Sequence, residues 1–488
     1  MRAAVLAVAA LTVVGALLRV LSSTQGFFGD ELFTWNAAHR ESFADVLDGV
    51  DETENTPPLY YLLAWLTGKA LGPPEWMRLP ALLAGVATIP VAAVLARRVF
   101  GTGAAVVAAA LVAASPFAVY YASEARAYAP AALCVVASTL LLLHGLERPR
   151  RAVWAAYAVV AAAGLWLHYT AALPLAAQAG WALWAHPERR RAVLAAHAGA
   201  ALLYLPWLPF AERNASNEPI GVLSGGFELE KLWEHPVRVL LGFAYQDVAD
   251  VPGWPLALLA VAVVVVVAVL AARAEQLRLP PLRSPVWLLA VTAAAAPAGT
   301  LLYSAAREYI FSPRYLLVST PAALVLIAGL LGRRPARVAV PATLVLVAVM
   351  LPTTLRMAFG DLRRPAFDAA GALIDREAGP ADPVIEYPNL AFLLGPPLSN
   401  PIVPFFERPH PHVAGHLEPR RGWRLAAEGS GRVWLVFTTT PPEIVKRLPP
   451  RERRSLEPAP DPRFREASRH SWPRELGDLT VVEYVREG

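Results

Sequence analysis

Ionisable and aromatic residues gather at the ends of long apolar runs in this chain. Asp30-Glu31 stand just past the first apolar run, residues 3–21, and Asn55-Thr56-Pro57-Pro58-Leu59-Tyr60-Tyr61 follow. Beyond them come Ser115-Pro116-Phe117, Tyr120-Tyr121, Ser123-Glu124-Ala125-Arg126-Ala127-Tyr128, His168-Tyr169-Thr170 and Ser312-Pro313-Arg314-Tyr315. Adjacent carboxylates at a membrane edge cost free energy unless water, a partner charge or a substrate satisfies them. A carboxylate in such a place can take a proton from a hydroxyl or an amine. An arginine fork can hold a phosphate and offset the charge that builds on it as it leaves. Phosphate leaves readily and needs no general acid, whereas glycoside hydrolysis needs a second carboxyl to protonate the leaving group. One base, one or two arginines and a cleft at the membrane surface therefore suffice for glycosyl transfer from a lipid-linked phosphate sugar. Tyrosines at interface depth would line the sugar and the phosphate.

Each of these residues also has a plainer reading. Asp30-Glu31 would cap an interfacial helix, because acids are favoured at a helix N-terminus. Arg126 would be a buried partner of Glu124 or a snorkelling side chain. Arg314 would be an interfacial anchor, and His168 a satisfied interfacial histidine. Tyr60, Tyr128 and Tyr169 fit an aromatic belt as well as a sugar site. His410, His412 and His416 lie close together in a proline-rich stretch, but further ligands would be needed for zinc.

The elements that position these residues are apolar helices. Of 488 residues, 56% are hydrophobic and 17% charged. The mean hydropathy is +0.42. A soluble protein would carry about 25% charged residues. Apolar runs recur at 3–21, 76–98, 102–120, 127–146, 152–168, 169–186, 192–210, 254–272, 285–304, 315–331 and 336–356, about eleven spans of an α-helical polytopic membrane protein. The run 57–71 is short and reads as re-entrant or interfacial. Residues 1–21 read as a retained helix rather than a signal peptide, because the run is long and Arg19 interrupts its end.

With the N-terminus inside, alternate loops hold Arg97-Arg98, Arg148 with Arg150-Arg151, Arg189-Arg190-Arg191, Arg273 with Arg278 and Arg283, and Arg333-Arg334 with Arg337. This is the positive-inside pattern. It accounts for the net charge of +5 without nucleic acid. It also puts Asp30-Glu31, Glu124-Arg126, His168-Tyr169, Glu212-Arg213 and the segment from Arg307 to Arg314 outside, together with the C-terminus. The lone cysteine, Cys134, allows no intrachain disulfide. Composition changes after residue 357, which divides the chain into a membrane domain, 1–356, and an extracytoplasmic domain, 357–488. In the latter, 365–378 reads as an amphipathic helix, 397–411 as a long loop, and 384–387, 433–437 and 479–484 as strands of a small α/β domain.

Taken in order, Gly29-Asp30-Glu31, Thr56-Pro57-Pro58-Leu59-Tyr60-Tyr61, Arg78-Leu79-Pro80, Ser115-Pro116-Phe117 through Tyr128, and Pro313-Arg314-Tyr315 with Pro321 resemble the GT-C fold glycosyltransferases that use lipid-phosphate sugars. The nearest group is family 39, with protein O-mannosyltransferases, lipid A aminoarabinose transferases and bacterial relatives. The resemblance covers roughly residues 1–356. It implies that Asp30 is the catalytic base on the acceptor, with Glu31 on the acceptor side or in support. Arg126 would lie near the donor phosphate, with Arg314 as a second phosphate ligand. Tyr60, Glu124, Tyr128, His168, Tyr169 and Tyr315 remain substrate-binding candidates beside them. The donor would be a polyprenyl monophosphate sugar, mannose or a pentose-type sugar. The acceptor would be an extracytoplasmic protein, glycolipid or envelope glycan, and transfer would invert the anomeric centre. No soluble cofactor is implied. Two adjacent carboxylates are a ligand pair for a divalent ion, but relatives imply a reaction without one. Thr56 departs from the pattern, since some groups carry Lys or His there. The β-trefoil domain of the eukaryotic enzymes is absent, and the C-terminal region fits bacterial relatives in the cytoplasmic membrane. The competing class is a transporter or lipid flippase. That class favours charges at the bilayer midplane and repeated halves, and this sequence has neither.

Overall fold

Long apolar helices carry most of the architecture. A computed structural model describes residues 2–27, 30–72, 74–211, 280–307, 310–359, 366–379, 382–387, 402–404, 431–437, 460–473 and 478–487, with 232, 237–239 and 262. The chain divides into two units, one of Met1–Ser23 and Ala37–Phe359, the other of Thr24–Asn36 and Gly360–Gly488.

Among the described residues, six helices are long and apolar enough to cross a membrane. The pair Thr102–Ala114 and Pro116–Ala122, bent by 61°, makes a seventh if counted as one span. The runs expected at 3–21, 76–98, 127–146, 192–210, 285–304 and 336–356 fall on the six, and 102–120 falls on the bent pair. The runs 152–168 and 315–331 give the shorter helices Arg151–Leu167 and Thr320–Gly332. The run 169–186 begins with a 3-10 turn, Tyr169–Ala171, before helix Ala172–Ala185. Except for residue 262, the run 254–272 lies outside the described residues. Leu6, Leu17, Trp184, Leu302 and Leu344 stand more than half exposed on these helices, as lipid-facing side chains do. This is a multi-pass membrane protein.

The 61° bend has a local cause. Pro116 cannot donate a backbone hydrogen bond, and it pushes Ser115 out of the helical region to φ −59°, ψ 116°. The Ser115 hydroxyl then caps the next helix by accepting from the Ala118 N–H at 3.3 Å. The break strands carbonyls at the end of helix Thr102–Ala114. Buried Arg19, from helix Arg2–Ser22, donates to Val112 O at 3.0 Å and to Ala113 O at 3.4 Å. Thr354 donates to Ala114 O at 2.8 Å. The arginine that interrupts the first apolar run therefore holds the bend, and its charge faces a helix C-terminus. Arg19→Met leaves two buried carbonyls without donors and is expected to cost about 2–4 kcal/mol. A lowered thermal midpoint of the purified full chain would report it.

Small residues let the helices approach closely. A Cβ on Gly332 would come within 2.3 Å of the Ala104 backbone nitrogen, and one on Gly85 within 2.2 Å of the Ala122 methyl. Helix Thr102–Ala114 thus lies backbone to backbone with Thr320–Gly332. It also packs on Leu79–Phe100 and Arg2–Ser22.

In the second unit, five strands order as β2-β1-β3-β5-β4. They are β1 Val384–Tyr387, β2 Ile402–Pro404, β3 Arg432–Phe437, β4 Phe464–Trp472 and β5 Leu479–Arg486. Strand β1 runs parallel to β2 and β3, while β5 is antiparallel to β3 and β4, so the sheet is mixed. Helix Phe367–Glu377 covers it with Phe367, Ala370, Leu373 and Ile374 against Val384, Trp434, Val436, Leu479 and Val481. Phe27 packs against this same apolar cluster, three residues before Asp30. Two strands depart from the sequence reading. β2 lies inside the stretch expected as a loop, 397–411, where Pro404 is tolerated at a sheet edge. β4 carries no strand signal in the sequence, because its exposed, charged residues lack apolar alternation.

Candidate active site

The first half of the site grows from the turn between helix Phe43–Thr53 and helix Leu59–Leu71. A capping box of Ser42 and Asp45 starts the former helix, and Glu54 is its C-cap. Pro57-Pro58 end the turn, and the next helix presents Tyr60 and Tyr61. The second half is the irregular link from Ser123 to Ala127, aimed by the bend at Ser115-Pro116.

These halves meet in a buried ion pair. Arg126 Nη1 lies 3.2 Å from Glu54 Oε2, with both side chains almost wholly buried. Arg126 Nη1 also donates to the Tyr61 hydroxyl at 3.2 Å, and its guanidinium stands 5.8 Å from the Tyr61 ring centre. Tyr61 donates to Glu54 Oε2 at 2.5 Å. Its one hydrogen is then committed, so Thr56, 2.7 Å away, donates to the Tyr61 oxygen. Burial, ahead of the charges beside it, holds the Tyr61 phenol well above its usual range, so it stays protonated as a donor. Among the described residues, the acidic group ion-paired with Arg126 is Glu54. Glu124 is buried and accepts from Tyr120 at 3.1 Å. Glu54 is not among the residues singled out from the sequence: it ends the acidic run Asp51-Glu52-Thr53-Glu54, and nothing local distinguishes it from its neighbours.

A chain of rings runs from Phe117 to Tyr315. Phe117 and Tyr121 stand 4.9 Å apart, Tyr121 and Tyr128 4.9 Å, Tyr128 and His168 5.1 Å, and His168 and Tyr315 5.5 Å. Arg314 closes the row, 5.9 Å from the Tyr315 ring. Burial pushes the His168 imidazole down to about 3, and the charges of Arg126 and Arg314 push it the same way. The ring is neutral above that pH. An unfolded histidine titrates near 6.5, so unfolding takes up a proton between about 3 and 6.5 and stability falls as the pH drops through that window. His168→Gln is therefore expected to leave in place any acid limb between pH 5 and 7 in a profile of rate against pH.

The structure thus gathers Arg126, Tyr128, His168, Arg314 and Tyr315, drawn from three distant stretches of sequence. Tyr60 instead sends its hydroxyl to Met77 O at 2.9 Å. Tyr169 receives the Trp207 indole N–H at 3.2 Å, in a separate aromatic group with Trp166, Tyr204 and Phe210. Asp30 and Glu31 occupy the first turn of helix Asp30–Ala38. Asp30 is half-buried and Glu31 fully buried, so the two neighbours differ in access. Glu212, Arg213 and the three clustered histidines lie outside the described residues.

Comparison with known proteins meets this geometry from two sides. Residues 55–210 match the family model described as dolichyl-phosphate-mannose-protein mannosyltransferase. No curated protein sequence matches the chain. Among solved structures, ArnT from Cupriavidus metallidurans without ligand is similar over 98% of this chain and 97% of its own, with 16% identity and a TM-score of 0.60. The same protein bound to undecaprenyl phosphate has 15% identity and a TM-score of 0.57 over the same shares. An oligosaccharyltransferase of Archaeoglobus fulgidus, tethered to an acceptor peptide, has 11% identity and a TM-score of 0.50, over 88% of this chain and 68% of its own. The family match begins one residue after Glu54 and spans Thr56, Tyr61, the bent helix, Arg126 and His168, while the likeness to ArnT spans nearly the whole chain. The protein is a multi-pass membrane protein with the fold of ArnT, and its residues 55–210 are similar to the model of the dolichyl-phosphate-mannose-protein mannosyltransferase family.

Proposed function

We propose that the protein is a membrane glycosyltransferase that moves a sugar from a polyprenyl monophosphate donor to an acceptor outside the cytoplasmic membrane. The observation that carries this reading is His168 set between the tilted rings of Tyr128 and Tyr315, within reach of the charges of Arg126 and Arg314, with Arg126, Tyr128 and His168 inside the segment that matches the mannosyltransferase family model. Two guanidiniums suit a phosphate, and ring faces suit a sugar or an isoprenoid tail. ArnT, which shares the fold, has been seen with undecaprenyl phosphate.

In this scheme the acceptor oxygen or nitrogen attacks the anomeric carbon as the bond to phosphate breaks. Asp30 takes the acceptor proton, and polyprenyl phosphate leaves with its charge held by Arg126 and Arg314. The anomeric centre inverts. Glu31, buried beside the base, supports it from within helix Asp30–Ala38. Tyr128, His168 and Tyr315 line the donor. Glu124 shapes the link that carries Arg126, and Tyr60 and Tyr169 act one layer further out. Catalysis is assigned to the membrane part, residues 1–356. Because Phe27 packs on the apolar cluster of the C-terminal sheet, residues 357–488 help to hold the segment that bears Asp30. The active site and the C-terminus are assigned to the extracytoplasmic face from the alternation of arginine-rich loops.

The direct test uses the purified full chain in lipid nanodiscs with undecaprenyl-phosphate-mannose or its aminoarabinose counterpart. Release of undecaprenyl phosphate with transfer to an acceptor supports the reading. Movement of intact donor across a proteoliposome without cleavage would instead favour a flippase.

A further inference from the structure

The His168 ring holds an unused polar atom. Nε2 is buried and has no hydrogen-bond partner among the described residues, in a side chain only 4% exposed. The other ring nitrogen is engaged: the Thr170 backbone N–H lies 3.2 Å from Nδ1, and the Thr170 hydroxyl lies 2.9 Å from it. A nitrogen that accepts an N–H bond carries no proton of its own. In the neutral ring the proton therefore sits on Nε2, which is a donor with nothing to donate to. A buried donor in that state costs free energy until an acceptor arrives. Tyr128 and Tyr315 flank the imidazole at 5.1 and 5.5 Å and, with Thr170, fix the direction of this N–H.

We propose that His168 Nε2–H donates a hydrogen bond to a phosphate oxygen of the lipid-linked donor, and forms with Arg126 and Arg314 a three-part anion cradle. The inference rests on the glycosyl-transfer reading and gives it an atom and a ligand group. An anion is favoured over a neutral sugar hydroxyl because the two arginines whose charges reach the ring also act on whatever binds there. A neutral donor has a use that a third cation would lack. It orients the phosphate and strengthens as charge builds there, yet holds the departing product less tightly than another full charge would.

The experiment is equilibrium binding of radiolabelled undecaprenyl phosphate to the purified full chain, with His168→Phe and His168→Gln as variants. Phenylalanine keeps a ring packed between Tyr128 and Tyr315 and removes the donor, whereas glutamine can place an amide N–H where Nε2 stood. His168→Phe is expected to weaken binding about tenfold, and His168→Gln to stay within about threefold of wild type. Inorganic phosphate serves as a competitor that has the headgroup and no tail. It should displace the lipid from the wild-type chain and lose potency against His168→Phe by a similar factor. Unchanged lipid binding by His168→Phe would overturn the inference alone. Equal losses in both variants, accompanied by equal drops in thermal midpoint, would also overturn it and make His168 a packing residue. Failure of the wild-type chain to bind undecaprenyl phosphate would overturn the glycosyl-transfer reading, and this inference with it.

Discussion

Asp30→Asn is expected to lower the rate of sugar transfer about 10³-fold while leaving membrane insertion and thermal stability nearly unchanged. The asparagine has the same size and the same place in the first turn of helix Asp30–Ala38. It gives up the charge that favours a helix N-terminus, a loss of about 0.3–1 kcal/mol. What it cannot do is take a proton from the acceptor. The neighbouring Glu31→Gln separates the two carboxylates. Glu31 is fully buried and Asp30 half-buried, so the proposed scheme assigns the acceptor proton to Asp30. Glu31→Gln should therefore act mainly through folding and cost the rate only about tenfold. Radiometric transfer from undecaprenyl-phosphate sugar, read beside a thermal melt, distinguishes these results. Near-normal turnover by Asp30→Asn would remove Asp30 from the base role. A larger rate loss in Glu31→Gln than in Asp30→Asn would exchange their assignments.

The second large effect concerns the Glu54–Arg126 pair. A buried ion pair is costly to break on one side, because it leaves the other charge alone in a poor solvent. Arg126→Met should thus destabilise the chain by about 3–5 kcal/mol through stranded Glu54. It should also lower transfer by about 10²–10³-fold, because the phosphate loses a guanidinium. Glu54→Gln keeps the arginine and a hydrogen-bond acceptor for Tyr61 and Arg126, so its rate loss should stay near tenfold. The double variant Glu54→Gln, Arg126→Met decides whether Arg126 only holds the fold. Its stability should recover, because no charge is left unpaired, while its transfer rate should stay as low as that of Arg126→Met alone. Recovery of both together would reduce Arg126 to a structural residue.

Much of this protein can be read directly from the order of its residues. Helices form where apolar runs are long enough to satisfy their own backbone in lipid, and six such runs fall where hydropathy puts them. The Ser115-Pro116 break, helix Phe367–Glu377 and strands β1, β3 and β5 are equally local, because Pro geometry and apolar periodicity act within a few residues. β2 and β4 are not legible in the sequence, since both are edge strands, β2 only three residues long and β4 mostly exposed and charged, and they take their conformation from the neighbour they pair with rather than from apolar alternation.

The candidate site divides along the same line. The types and order of Asp30, Arg126, His168 and Arg314 make them candidates for chemistry in the sequence. The partners they take were settled only by folding. Glu54 is 72 residues from Arg126, and nothing near either one announces the pair. Arg19 reads as the frayed end of a span, yet it donates to carbonyls 93 and 94 residues away. His168 reads as an ordinary interfacial histidine until Thr170 fixes its tautomer and two tyrosines from other segments fix its direction. Local sequence decides which backbone conformation is cheapest and which side chains are available. Burial then removes water as the default partner, and only the tertiary structure determines which group takes its place.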